Sequence, residues 1–148
     1  MRLATQLPLA VSFMLFVAAL LRGAAPERLL AGALFVAAGV EVACNIVWPS
    51  TGPQASAMVY VLTDVLLFGA VAPVALHANR LYPLWLGASQ IVALASHFAD
   101  AALTLRPEAY ALMRRVPFWF ELMIMALGLF LYALRRRRTG SAVPSWSS

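Results

Sequence analysis

The stretch Tyr82–Leu105, YPLWLGASQIVALASHFADAALTL, constrains this chain more than any other. As a helix it is long enough to cross a bilayer, at about 1.5 Å per residue against a hydrocarbon core of about 30 Å. It nevertheless carries Gln90, His97 and Asp100. With Ala93 between them and Thr104 after them, the spacing 90-93-97-100-104 alternates steps of three and four, which puts these residues on one helical face. Ile91, Leu94 and Phe98 fall on the other faces and suit lipid or packing contacts. A polar stripe on an apolar span turns inward, toward protein or trapped water. The stretch therefore predicts a small polytopic membrane protein with a buried polar site.

Composition supports that class. Of 148 residues, 63% are hydrophobic and 11% charged, where a soluble domain is nearer half apolar and a quarter charged. A chain of this length makes one compact bundle. The net charge of +5 raises nucleic acid as a partner. That reading is set aside, because the basic residues are all Arg and lie between apolar spans and in one tail, not on a folded basic face. Cys44 is the sole cysteine, so the chain makes no internal disulfide and no cysteine-based metal cluster.

Taken in order, the chain predicts an all-α polytopic bundle over residues 1–134 with five transmembrane helices, about 3–21, 28–48, 57–77, 82–105 and 117–134. Arg2 and the apolar run after it resemble a signal peptide ending at Gly23-Ala24-Ala25. The neighbouring Arg22 and Pro26 count against processing, so the span is read as retained. Pro26 and Glu27 suit a first helical turn, and Pro73 bends the third helix. The charged run RPEAYALMRRVP is read as a short interfacial helix, with Pro117 opening the last span. Residues 135–148 are expected to be a basic, disordered cytoplasmic tail, with Arg135, Arg136, Arg137 and Arg138 touching anionic lipid headgroups. Five spans put the termini on opposite sides. Arginine asymmetry then places the C-terminus in the cytoplasm and the N-terminus outside.

Helical rise converts position into depth. Glu41 and Asp64 lie about 10 Å inside the outer boundary, His97 about 9 Å, Glu121 about 6 Å and Asp100 about 5 Å. Asn45 is shallower, on the face of Glu41. Four helices thus bring an acid to one level. Ionised carboxylates in hydrocarbon are costly, which leaves three resolutions: protonation, pairing with His97 or with Arg106, Arg114 and Arg115, or a shared cation or water-filled cavity. The candidate ligand- or ion-binding residues are Glu41, Asp64 and His97, with Asp100 and Glu121 at the mouth. Asn45 and Gln90 are read as interhelical hydrogen-bonding groups. The pair His97-x-x-Asp100 occurs once and is weaker than a metal motif, so metal and cofactor are left unassigned. No residue is read as catalytic, and the balance is against an enzyme. The expected function is binding of a cation, a proton or a small polar ligand. The alternative is a non-catalytic accessory or assembly subunit of a larger membrane complex, with homo-oligomerisation open in either case.

The run Leu81-Tyr82-Pro83-Leu84-Trp85-Leu86-Gly87, His97 ten residues on, and Pro107-Glu108-Ala109-Tyr110 together resemble a group of small, uncharacterised multi-span bacterial inner-membrane proteins. The resemblance covers the chain from the second span onward. It implies a multi-pass fold in a bacterial inner membrane and carries no mechanism.

Overall fold

A computed structural model describes residues 2–47, 53–78, 80–103 and 106–139. They form five helices: α1 (Arg2–Arg22), α2 (Ala25–Val47), α3 (Pro53–His77), α4 (Tyr82–Leu103) and α5 (Pro107–Thr139). Each helix packs on the next, and α1 returns to pack on α5, which closes a ring. Helices α2 and α5 also meet across it. Among the described residues the backbones of α2 and α4 stay apart across the ring, as do those of α3 and α5. The four helices α2–α5 therefore surround a space that side chains must fill.

The connections are set by short-range chemistry. Gly23 follows α1, and its N–H donates to the Ala19 carbonyl at 2.8 Å. A Cβ at Gly23 would stand 2.6 Å from the Ala19 oxygen and 2.8 Å from the Glu27 Cβ, so only glycine lets the turn close this tightly. Helix α2 then opens on Ala25-Pro26-Glu27. The carboxylate of Glu27 reaches back to accept the Ala24 N–H at 3.0 Å, the reciprocal half of a capping box. The sequence Gly23-Ala24-Ala25, which resembles a cleavage site, is this turn.

Leu30, Leu34, Leu67, Val71, Leu86, Leu122 and Met125 are the large buried residues of the core, and Phe16 stacks on Phe35 between α1 and α2. Large apolar side chains also cover the outside, Phe98 (76% exposed) and Ile91 among them. Between helices that lie in lipid, close packing and interhelical hydrogen bonds supply the cohesion that exclusion of water supplies elsewhere.

Three expectations about the fold differ from the structure. The bundle does have five helices, but among the described residues only three are long and apolar enough to cross a membrane. They are Ala25–Val47, Met58–His77 and the stretch Glu108–Arg138 of α5. The described apolar part of α1, Gln6–Arg22, is too short. Helix α4, at 22 residues, is not among the apolar spans found over the described residues. Nor is there a separate interfacial helix. Helix α5 runs unbroken for 33 residues with Pro117 inside it, about 50 Å at helical rise. The missing Pro117 N–H leaves a backbone acceptor one turn earlier without its helical donor. The same helix continues through Arg135–Arg138 to Thr139, where the sequence suggests a tail from residue 135 onward. Residues 140–148 lie outside the described residues, as does Thr104.

Candidate functional site

Polar side chains collect at two levels of the four-helix space. The first is near the ends of α2 and α4 and the beginnings of α3 and α5. Asp64 projects from α3, and its Oδ2 lies 2.8 Å from His97 Nε2 on α4. The other ring nitrogen, Nδ1, is 2.9 Å from the Tyr110 hydroxyl on α5. The His97 side chain is 7% exposed and that of Asp64 17%. The imidazole thus links three helices through both of its nitrogens.

Asp64 also borders a cavity of about 40 Å³, together with Glu41 on α2, Tyr60 and Thr63 on α3, and Arg115 on α5. That volume holds one or two waters. One turn or more toward the middle of the bundle, Gln90 Nε2 donates to Glu121 Oε1 at 2.7 Å. Both residues are 1% exposed. Gln90 Oε1 and Glu121 Oε2 have no partner among the described residues. Ser89, beside this pair, donates to the Pro117 carbonyl at 3.2 Å.

The residues read from the sequence are therefore distributed as follows. Asp64 and His97 pair directly, Glu41 shares the small cavity with Asp64, and Gln90 bonds Glu121 in a pair of its own. Arg115 borders the same cavity as Glu41 and Asp64. Asn45 stands apart: it is exposed, and its amide donates to the Glu41 carbonyl of its own helix at 2.7 Å. The side chains of Asp100 and Arg114 lie outside the described residues. Tyr110 is a member of the first cluster that the polar stripe of α4 did not signal, because it belongs to a run read as interfacial.

The second level is at the opposite end, where the sequence indicated no cluster. Glu27, fully buried, receives Arg80 Nη1 and, at 3.1 Å, the Tyr82 hydroxyl on Oε1, while Oε2 holds the Ala24 N–H. The Arg80 guanidinium also lies over the Tyr132 ring, 4.5 Å from its centroid. Burial lowers the Arg80 guanidinium below its ordinary value, and the nearby Tyr82 and Tyr132 act in the opposite sense. A buried carboxylate with three donors and a guanidinium with an acid and an aromatic face are each compensated, as buried charges must be. Glu27 and Arg80 are 53 residues apart. The available signal was register: Glu27 begins α2, Arg80 precedes α4 and Tyr132 is near the end of α5, so alternating helix directions bring all three to one end.

The fold and these two levels define a small all-helical membrane protein with buried polar and acidic sites. No protein-family model, no curated protein and no solved structure matches the chain.

Proposed function

We propose that the protein is a membrane-embedded binding protein whose site is the Asp64–His97–Tyr110 cluster with its adjoining cavity, and that it holds a proton or a small polar molecule. One observation carries the reading: both nitrogens of His97 are engaged, by an acid on one side and a hydroxyl on the other. A neutral ring donates from Nε2 to Asp64 and accepts the Tyr110 proton at Nδ1. A doubly protonated ring keeps the bond to Asp64 and donates from Nδ1 to the tyrosine oxygen, with only the hydroxyl hydrogen turning. The site accepts a proton without moving a heavy atom.

The donor set favours this over a metal ion. No group of three His, Cys, Asp or Glu residues able to hold a metal occurs among the described residues, and Arg115 borders the same cavity as Glu41 and Asp64. A bacterial inner membrane, with the arginine-rich end of the bundle in the cytoplasm, is the setting we infer from the resemblance and from the arginine distribution.

The chain has two histidines, so His77→Gln leaves His97 as the sole imidazole. Nitrogen NMR of that ring across a pH scan should show reversible passage between one and two bound protons, with the Nε2 resonance moved by Asp64→Asn and the Nδ1 resonance by Tyr110→Phe. A ring that keeps one state wherever the protein stays folded overturns the reading.

A further inference from the structure

The opposite end of the bundle carries a second site. Between the end of α3, the start of α4 and the end of α5 lies a cleft of about 640 Å³. This is the size of a pocket for an organic ligand rather than a bare ion. Its head is formed by Arg80, Tyr82, Tyr132 and Arg135, and apolar residues, Leu76, Leu81, Leu84 and Leu131, form the rest of its wall. Those four leucines are well exposed on the bundle surface.

The head carries two arginines, Arg80 and Arg135, beside the described acid Glu27. The Arg80 side chain is 8% exposed and engages one acid, Glu27, through Nη1. Its Nη2 is buried with no acceptor among the described residues. Arg135 adds a second positive charge on the same cleft. A neighbouring hollow of about 400 Å³, bordered by Arg22, Arg136 and Arg137, extends the positive surface. A basic head continuous with an apolar trough complements an amphiphile with an anionic group and a hydrocarbon chain.

We propose that this cleft binds one anionic phospholipid, its phosphate at Arg80 and Arg135 and an acyl chain along Leu76, Leu84 and Leu131. The inference requires the bundle to sit in a membrane and is independent of the His97 site. It differs from general attraction of the Arg135–Arg138 run to a charged surface, because it needs the trough as well as the charge.

Native mass spectrometry of the full chain in mild detergent tests it, with phosphatidylglycerol and phosphatidylcholine offered together and inorganic phosphate offered separately. One phosphatidylglycerol per chain should be retained, preferred over phosphatidylcholine by about fivefold or more, the ratio expected from a single arginine–headgroup contact. Arg135→Gln should remove most of the preference, Leu131→Trp should reduce retention by filling the trough, and Arg106→Gln at the far end should change neither. Equal retention of both lipids overturns the proposal, as does retention indifferent to Leu131→Trp, which signifies surface attraction only. Inorganic phosphate held as firmly as the lipid also overturns it. Carbonate extraction of the same variants from membranes reports separately on whether the chain is embedded.

Discussion

Glu27 illustrates how one residue can serve local and tertiary structure together. Its position three residues after Ala24 makes it a helix cap, and its second role follows from which oxygen is left over. Glu27→Gln keeps the shape and the cap but leaves Arg80 as a buried charge without an acid. Thermal unfolding in detergent should record a loss of about 3–5 kcal/mol, and Glu27→Gln combined with Arg80→Gln should recover part of it. An unchanged melting curve for the single variant would show that the pair contributes nothing. The neighbouring Gly128 provides an independent check. A Cβ there would be 2.9 Å from the Tyr82 ring, so Gly128→Ala must displace the ring whose hydroxyl bonds Glu27. The expected cost is about 1–3 kcal/mol, and it should largely vanish in a Tyr82→Ala background, since contacting residues couple. Equal penalties in both backgrounds would trace the effect to α5 alone.

At the level of elements, periodicity was legible and membrane crossing was not. The three-and-four spacing in α4 correctly turns Gln90 and Ala93 inward and Ile91 and Phe98 outward, because side-chain direction on a helix is fixed by backbone geometry. Whether a helix spans depends on the length and apolar content of the whole segment, which the spacing of a few polar residues does not report. Pro117 was misread for a related reason. Proline suits a first turn as well as it breaks an interior one, and Arg114 and Arg115 before it imitate a helix end. The Asp64–His97 contact follows from two residues at one depth on adjacent helices. The Glu27–Arg80 contact escapes that argument, since Arg80 belongs to a connection and has no helical depth to compute. Helix α4 also makes a testable non-additivity. Gln90→Leu removes the donor to a buried Glu121 and should cost about 1–3 kcal/mol in thermal unfolding. The double variant Gln90→Leu with Glu121→Met, apolar on both sides, should cost less than the single one. A double variant worse than the sum of its parts would mean that the pair does more for the bundle than satisfy itself.

For the whole molecule, the ring of five helices sorts the arginines by end. Arg22 closes α1, Arg28 starts α2, Arg80 joins α3 to α4, and Arg135, Arg136, Arg137 and Arg138 end α5, so these seven share one end. Arg2, Arg106, Arg114 and Arg115 belong to the other. Arg80 is neutralised by Glu27, and the asymmetry survives its removal. A bundle with this bias should insert with the seven-arginine end in the cytoplasm. The chain offers a clean way to test that orientation, because Cys44 is its sole cysteine and is buried. In a Cys44→Ser background, Arg106→Cys should react with a membrane-impermeant thiol reagent added to intact cells, while Arg138→Cys should react only after permeabilisation. The reverse pattern would invert the protein, placing the His97 cluster on the cytoplasmic side and the lipid cleft outside. Labelling of both from one side would mean that α5, the helix between them, fails to span despite its length. Each outcome changes what the His97 site can do, since the end of the bundle at which it lies decides which compartment supplies its proton.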